Sequence, residues 1–303
     1  MVLVTGGTGH LGLRVCMTLL REQRRVRVLT RTPGKAAELD RLGADVMVGD
    51  LRDRASLARA CHDVQYVVAA AHAVDGHGHN NPRTVDDAGN RSLIDAALAQ
   101  RVKHFVFVST AGADPRHPLE THRIKHAVEC YLQASGLSYT VLRPTAFMEP
   151  WAGMIGDPIV RRGRALILGR GDRPINLMAL DDVAHYVLVA LFNPDARNRV
   201  ITIGGPQNLT AIEMVETFER ISGQRGRRTH VPMRMLRLLC ALITPFSGGA
   251  ARVLAERVSL TTRAQPFDPA ALLAEFPRRL VTLEEMARQR CRERHRQPSL
   301  RAS

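Results

Sequence analysis

The chain has 303 residues, of which 45% are hydrophobic, so it can bury a large core as one big domain or as a large and a small one. Its five cysteines are scattered and form no CxxC pair, which argues against a disulfide framework and favours a reducing compartment. No signal peptide precedes the first apolar run, and no run approaches the roughly 18 residues of a membrane span. The sequence therefore predicts a soluble protein of the cytoplasm.

The formal net charge is +14, and most of the excess lies near the C-terminus. From Arg220 onward there are 17 arginines and 6 acidic residues. Such a basic region is typical of a solvated face, with attraction to anionic lipid or nucleic acid as the alternative. We expect a small-molecule substrate, no nucleic-acid partner and no transmembrane segment. Peripheral membrane contact stays open, as does the choice between a monomer and a homodimer.

The first twelve residues predict a buried strand, a glycine turn and the start of a helix. Residues 2–4 are apolar without alternation, as in a parallel strand that is covered on both faces. Gly6, Gly9 and Gly12 follow at intervals of three, which suits a tight turn, close approach of backbone to a pyrophosphate and close packing of helix on strand. The helix that begins near His10 would point its free N–H groups at the phosphates. A plain tight turn is the alternative.

A second strand is predicted over residues 25–31, and its last residue commonly selects the cofactor. A carboxylate there accepts hydrogen bonds from the ribose hydroxyls of NAD, whereas an arginine suits the extra phosphate of NADP. Here the residue is Arg31, with Lys35 close behind and no acid before Glu38. NADP(H) is therefore favoured over NAD(H), although a surface arginine is unremarkable in an arginine-rich chain.

A third strand over residues 45–48 leads into Asp50 and Leu51. A fourth strand then ends on the small residues Ala69, Ala70 and Ala71. Small side chains at this end of a strand let a cofactor lie against the backbone, in the crevice beyond the sheet.

The polar loop after the fourth strand contains His77 and His79 in an HxH pair that suits a metal. No third ligand is marked, so we interpret the loop as a mobile rim of the site. After a helix over residues 85–101, the fifth strand ends on Ser109 and Thr110. Hydroxyls at this end, beside the expected nicotinamide, are candidates for contacting a substrate carbonyl, and turn formation is the alternative.

The next helix is predicted over residues 119–135. Lys125 and Glu129 are four residues apart on it, which predicts an ion pair on one helix face. His122 and His126 share that spacing and suit a metal, yet nothing completes a ligand set. We therefore expect no metal, and solvated or substrate-facing histidines.

The alternation of strand and helix breaks down after a sixth strand that stops at Pro144. Short strands and helices follow to about residue 222, and the rest is predicted to be helical and basic. Residues 233–243 are amphipathic only at their arginine end. They could cover the substrate cleft, dock a partner or touch a membrane surface, but a buried lid or packing helix is favoured. We expect a nucleotide-binding domain over residues 1–150, intertwined with a C-terminal substrate or lid region over residues 151–303.

Taken together, the motifs resemble the NmrA-like, atypical short-chain dehydrogenase/reductases. The resemblance covers roughly residues 1–215 and rests on five segments in the family's order, namely 5–12, 49–51, 109–111, Lys125 and 142–145. It implies an α/β fold with a doubly wound parallel sheet, the Rossmann fold, and a smaller, mostly helical C-terminal part that binds substrate.

The resemblance also implies a set of cofactor contacts. The pyrophosphate would lie on Gly6, Thr8, Gly9, His10 and Leu11, the 2′-phosphate on Arg31, the adenine between Asp50 and Leu51, the ribose on Ala69, Ala70, Ala71 and Lys125, and the nicotinamide on Pro144, Thr145 and Phe147.

One departure from the wider superfamily limits the chemistry. Typical members have a YxxxK pair, in which the tyrosine donates a proton and the lysine lowers its pKa. This chain has Thr121 four residues before Lys125, and a threonine hydroxyl is far too weak an acid for that role near neutral pH. Tyrosine-dependent epimerase or dehydratase chemistry is therefore not expected.

Two functions follow from these observations. In the first, the protein is an NADPH-dependent reductase of a small planar acceptor such as a quinone, an enone or a carbonyl compound. Lys125 then anchors the ribose and helps proton transfer, and the proton comes from Ser109, Thr110, His122 or an ordered water. In the second, the protein binds NADP(H) without turnover, as a redox sensor or regulator.

Overall fold

In the computed structural model, which describes residues 1–296, the chain folds into two units. The first contains residues 1–144, 180–203 and 247–252. The second contains residues 145–179, 204–246 and those from Val253 onward. Two segments far along the sequence therefore return to complete the first unit.

The described elements alternate regularly in the first half of the chain and less regularly in the second. The strands are β1 (Val2–Thr5), β2 (Val26–Thr30), β3 (Asp45–Val48), β4 (Tyr66–Ala69), β5 (His104–Val108), β6 (Tyr139–Pro144), β7 (Ala146–Phe147), β8 (Arg164–Leu168), β9 (Ile175–Met178), β10 (Arg199–Ile203), β11 (Asn208–Leu209) and β12 (Arg227–Val231). The helices are α1 (His10–Arg21), α2 (Ala37–Arg41), α3 (Arg54–Cys61), α4 (Asn90–Ala99), α5 (Glu120–Ala134), α6 (Met148–Trp151), α7 (Asp157–Arg162), α8 (Leu180–Phe192), α9 (Ala211–Ser222), α10 (Met233–Ile243), α11 (Gly248–Thr262), α12 (Ala270–Glu275) and α13 (Leu283–Arg296).

The first unit is built on a seven-stranded parallel sheet in the order β10-β6-β5-β4-β1-β2-β3. Val4 of β1 lies opposite Val28 of β2 on one side and Val68 of β4 on the other. The order reverses direction between β1 and β4, which is the switch point where open α/β sheets bind ligands beyond the carboxyl ends of their strands. The predicted doubly wound parallel sheet is confirmed.

Burial explains why the strands read as continuous apolar runs. Leu3, Val67, Phe105 and Phe107 are fully buried, because helices cover both faces of a parallel sheet. Each such aromatic or branched side chain contributes roughly 1.5–3 kcal/mol through burial. Helix α1 buries Leu11, Val15 and Leu19, the apolar residues at helical spacing, and Leu19 is fully buried.

The second unit has a core of its own around Trp151, Ile155 and Phe218. The absent side chain of Gly156 is what admits Phe218, since a Cβ there would lie 2.3 Å from the ring. Helix α9 begins with a capping box in which the Thr210 hydroxyl accepts from the Glu213 amide at 3.2 Å. The prediction of a wholly helical region after residue 222 is wrong in one place, because β12 pairs in parallel with β8.

Helix α10 occupies the amphipathic stretch that the sequence marked. Leu236 is its one buried residue, at 4% exposure, and four large apolar side chains of the helix face solvent. The interpretation as a packing helix therefore explains the buried Leu236 and does not explain the four exposed apolar side chains. Within residues 1–296, no helix is both long enough and apolar enough to cross a membrane.

His104 is a buried histidine at the start of β5. Its ring nitrogens bond to side-chain hydroxyls, Nδ1 to Ser138 Oγ at 2.8 Å and Nε2 to Thr140 Oγ1 at 3.0 Å. Burial disfavours the charged ring, and the positive charge of Arg197 adds to this, so the pKa of His104 falls from 6.5 to about 4.

This lowered pKa predicts a loss of stability in mild acid. Below about pH 6.5 His104 is protonated in the unfolded chain and stays neutral in the folded chain. We therefore expect the free energy of unfolding to fall by about 2 to 3 kcal/mol between pH 6.5 and pH 4. Urea unfolding across this range measures the slope. The H104N variant should lose that part of the slope, and an unchanged slope in H104N would contradict the assignment.

Candidate cofactor-binding site

The glycine turn after β1 is shaped by the absence of side chains. Gly6 adopts a positive φ of 75°, and a Cβ on it would lie 2.7 Å from the backbone of Ala71. A Cβ on Gly12 would lie 2.1 Å from the Gly6 carbonyl oxygen. The turn is closed by the Gly9 amide, which donates to the Gly6 carbonyl at 2.9 Å. Both Gly6 and Gly12 are therefore required by packing.

The turn leaves the start of α1 available to an anion. Gly9 precedes the helix and has no side chain with which to cap it. The first-turn amides, from His10 onward, then carry the positive end of the helix dipole toward the switch point. A pyrophosphate suits this arrangement, which supports the predicted contacts of Thr8, His10 and Leu11.

Two arginines, Arg31 after β2 and Arg52 after β3, bond to neighbouring residues of the loop after β4, and the sequence identified only Arg31. Arg31 Nη1 donates to Asn80 Oδ1 at 2.7 Å. Arg52 binds both carboxylate oxygens of Asp50, at 3.0 and 2.5 Å, and donates to the His79 carbonyl at 3.0 Å. Sequence reasoning missed Arg52 and Asn80. The close spacing of Asp50 and Arg52 was a usable signal, whereas nothing local indicated Asn80.

The Asp50–Arg52 pair changes the charge that a cofactor would meet. The hydrogen bond from Arg52 holds the pKa of Asp50 below its usual value, and the charge of Arg31 acts in the same direction. Asp50 is therefore a carboxylate whose charge is balanced by Arg52. Lys35 is exposed in the short turn Pro33–Ala36 that follows.

The loop after β4 is tied down by the returning segment at residues 247–252. Arg252 donates to the carbonyls of Val74 at 2.9 Å and Gly76 at 2.6 Å. Gly249 lies so close that a Cβ would be 2.3 Å from the Asp75 carbonyl oxygen. His77 bonds to Ser247 at 3.2 Å. The predicted rim loop is thus held at its first half, next to the residues that contact Arg31 and Arg52.

Lys125 lies beside the carboxyl end of β5. Its Nζ is 3.2 Å from Asp86 Oδ1, donates to the Val108 carbonyl at 3.3 Å and lies 5.0 Å from the centre of the Phe107 ring. Only 12% of the Lys125 side chain and 6% of the Asp86 side chain are exposed. The other oxygen of Asp86 accepts from the Ala73 amide at 2.8 Å. This fixed, nearly buried carboxylate holds the ammonium in place.

The predicted ion pair between Lys125 and Glu129 is wrong. Glu129 is 1% exposed and turns to the sheet, where Arg143 of β6 binds both its oxygens at 3.0 and 2.5 Å. Ser109 also donates to the Glu129 carboxylate. The hydrogen bonds that Arg143 donates to the Glu129 carboxylate raise the pKa of Arg143. A bidentate arginine and a hydroxyl from neighbouring strands are better partners than a lysine one helical turn away.

Replacing Glu129 should therefore destabilise the fold. E129Q leaves the Arg143 guanidinium largely buried without a counter-charge, so we expect the free energy of unfolding to fall by roughly 2 to 3 kcal/mol, measured in urea. E120Q is the matched control on the same helix, because Glu120 pairs with Arg83 in solvent and should cost under about 0.5 kcal/mol. Equal losses for the two variants would contradict this account.

The remaining candidate catalytic residues have local partners. Thr110 Oγ1 donates to the Ala111 carbonyl at 3.3 Å. The His122 ring is 6% exposed and stacks on His117 with ring centres 3.9 Å apart. His126 lies 3.8 Å from Cys130 Sγ, so the two histidines of the HxxxH pair have different neighbours. Within residues 1–296 no three His, Cys, Asp or Glu side chains are grouped to hold a metal.

The residues predicted to contact the nicotinamide each have partners within their own unit. Pro144, the last residue of segment 1–144 of the first unit, accepts from the Ala111 amide at 2.8 Å. In the second unit Thr145 donates to Asn176 Oδ1 at 2.9 Å, and Phe147 lies in β7. Asn176 is 1% exposed and was not predicted; it also accepts from the Gly205 amide at 2.7 Å.

Comparison with known proteins agrees with this arrangement. The family model for NAD(P)H-binding proteins matches residues 6–194, more than half of the chain. The chain belongs to the NAD(P)H-binding family. The predicted membership of an NAD(P)H-binding family is confirmed, and so is the prediction of a nicotinamide dinucleotide cofactor.

The relatives differ in what they do. The chain is 31% identical over 239 residues to the photosystem II assembly factor Ycf39 of Cyanophora paradoxa, over 78% of this chain and 73% of that protein. It is 29% identical over 228 residues to the NAD(P)H azoreductase of Xenophilus azovorans, over 75% of this chain and 76% of that protein. The structure of the NADPH-dependent quinone oxidoreductase QOR2 from Escherichia coli, complexed with NADPH, superposes with a TM-score of 0.78 at 23% identity, over 95% of this chain and 99% of that one. That similarity shows a shared fold.

Proposed function

We propose that the protein is an NADPH-dependent reductase that transfers hydride to a small planar acceptor, a quinone, an enone or a carbonyl compound. The observation that carries the proposal is Lys125, whose ammonium group is held between Asp86 and the Val108 carbonyl. The resemblance assigns the ribose of the cofactor to Lys125, and a cation fixed beside the C-terminal end of β5 supports that assignment. The azoreductase and quinone oxidoreductase named above are reductases that use this type of cofactor, which supports the proposal.

The preference for NADPH over NADH rests on charge. Arg31 directly follows β2, near the position where the ribose 2′-substituent lies in this fold. A bare carboxylate at Asp50 would repel a 2′-phosphate, and Arg52 balances that charge with two hydrogen bonds. The result is a net positive site that suits the extra phosphate of NADPH.

In this proposal the residues of the chain bind the cofactor and stabilise the charge that the reaction creates. When bound, the nicotinamide cofactor supplies the hydride. The amides of α1 would hold the pyrophosphate, and Lys125 would donate hydrogen bonds to the ribose and stabilise negative charge on the acceptor. The Ser109 hydroxyl donates to Glu129 and the Thr110 hydroxyl to the Ala111 carbonyl, so the proton that completes the reduction is assigned to the Lys125 ammonium, to His122 or to water.

Steady-state oxidation of NADPH tests the proposal. Purified protein is mixed with NADPH and a panel of quinones, azo dyes, enones and aldehydes, and absorbance of the reduced nicotinamide is followed. We expect turnover above the uncatalysed rate with at least one acceptor class, and a higher kcat/KM with NADPH than with NADH. Tight NADPH binding with no turnover on any acceptor would overturn the reductase.

The second candidate is an NADP(H)-binding regulator without turnover. It is favoured by the identity to Ycf39, which is named for assembly and not for catalysis. It predicts that NADPH binds and changes the affinity for a protein partner while no acceptor is reduced. The cytoplasmic location, the state as monomer or homodimer and the substrate-binding role of the C-terminal region stay predictions from sequence.

A further inference from the structure

Helix α10 presents a continuous apolar stripe to solvent. Met235, Leu238, Leu239 and Leu242 are 53%, 60%, 43% and 59% exposed. Their spacing, i, i+3, i+4 and i+7, places them on one side of the helix. Leu236, which is buried, lies to one side of this stripe and is covered by other parts of the protein. Four large apolar side chains in one exposed stripe are typical of a surface that contacts a membrane or another protein.

The stripe continues beyond the end of the helix through Phe246. This ring is 90% exposed, the most of any large hydrophobic side chain among the described residues. The Phe246 amide donates to the Ile243 carbonyl at 3.0 Å, and the Thr244 amide donates to the Cys240 carbonyl at 3.1 Å. The turn that carries the ring is therefore fixed to the helix. We call Met235, Leu238, Leu239, Leu242 and Phe246 the α10 surface.

The stretch of sequence that carries the α10 surface has charged side chains of a single sign. Residues 221–246, all in the second unit, contain five arginines and no aspartate or glutamate, and of these Arg228 pairs with Glu216 and Glu219. Two of them, Arg234 and Arg237, are exposed on α10 itself. At 100° per residue, Arg234 lies about 40° from Leu238 at the edge of the apolar stripe, and Arg237 lies about 100° from Leu238 on the same side of the stripe. An arginine at such an edge can extend its guanidinium toward an anion while its stem stays on the apolar side.

We propose that the α10 surface docks on an anionic lipid bilayer, with the helix lying in the plane of the membrane interface. Helices that bind this way combine a leucine- or phenylalanine-rich face with arginines or lysines and lack acidic residues at the contact. Leucine and phenylalanine side chains would enter the boundary between headgroups and acyl chains. Arg234 and Arg237 would bind lipid phosphates.

Vesicle flotation tests this docking with the full chain. Vesicles of phosphatidylcholine alone are compared with vesicles that also contain phosphatidylglycerol. We expect at least about tenfold stronger partition onto the anionic vesicles, weakened by added salt. The R234Q/R237Q variant should lose most of the difference between the two lipids, and L238S/L242S/F246S should lose binding to both.

Matched variants distinguish membrane docking by the α10 surface from attraction by the net positive charge of the chain and from loss of folding. R161Q/R162Q removes two exposed arginines from α7, and L98S removes an exposed leucine from α4, and both should bind as the wild type does. Circular dichroism checks that each variant is folded. Binding that ignores lipid charge, or that survives L238S/L242S/F246S, would overturn the proposal. So would self-association that this triple variant abolishes while no vesicle is bound, because the α10 surface would then be a contact between two copies of the chain.

Discussion

We expect K125M to lose at least about 100-fold in kcat/KM for NADPH oxidation while it still binds NADPH within about tenfold of the wild-type affinity. The methionine keeps the length of the side chain and removes the charge that Asp86 and the Val108 carbonyl hold in place. Binding persists because the glycine turn and Arg31 act on other parts of the cofactor. Stopped-flow oxidation with the best acceptor and fluorescence titration with NADPH measure the two quantities separately.

The control for K125M addresses Asp86, which is 4% exposed and would keep a buried charge without its cation. Such a group costs about 3 kcal/mol or more. In the double variant K125M/D86N the charge is removed and the amide oxygen can still accept from the Ala73 amide. We expect the double variant to regain stability and to stay inactive. If it regained activity as well, the loss in K125M would reflect misfolding, and Lys125 would have no direct role.

We expect R31A to weaken NADPH binding by roughly 10- to 100-fold and NADH binding by less than about threefold. A charge-assisted hydrogen bond to phosphate contributes about 1.5–3 kcal/mol, and each 1.4 kcal/mol is a factor of ten. NADH lacks the phosphate and so loses little. Isothermal titration with both nucleotides measures the ratio.

Two further variants sharpen the R31A result. R52A exposes the charge of Asp50 to the same region, so it should weaken NADPH more than NADH as well. R116A removes an exposed arginine that lies elsewhere in the sequence and should leave both affinities unchanged. Equal losses of NADPH and NADH in R31A would show that Arg31 is structural, and the preference for NADPH would need another origin.

Contacts between residues that are close in sequence could be predicted, and contacts between distant residues could not. The strand, the glycine turn and α1 lie within twenty residues, and their apolar spacing and glycine positions determine one another. Lys125 and Glu129 show where such reasoning fails. They are four residues apart, which predicts an ion pair. In the folded chain Lys125 pairs instead with Asp86, 39 residues away in sequence, and Glu129 pairs with Arg143, 14 residues away.

The loop that carries Asn80 shows the same limit more strongly. Arg252 contacts the loop start at Val74 and Gly76 from more than 170 residues away. No local pattern marks such a return, because residues 247–252 are separated in sequence from the rest of the first unit by more than 40 residues of the second. Arg52, by contrast, was within reach, since an acid and an arginine two residues apart after a strand commonly pair.

The most direct test of the proposed reduction is a single-turnover experiment with NADPH deuterated at either of the two C4 positions of the nicotinamide. Enzyme with one equivalent of labelled NADPH is mixed with the best acceptor, and the oxidation rate is followed. A reductase that holds the nicotinamide in one orientation should be slowed severalfold by one label and by under about a third by the other, because only one C4–H bond breaks. No oxidation of bound NADPH by any acceptor would contradict the reductase, and equal slowing by both labels would contradict a cofactor held in one orientation.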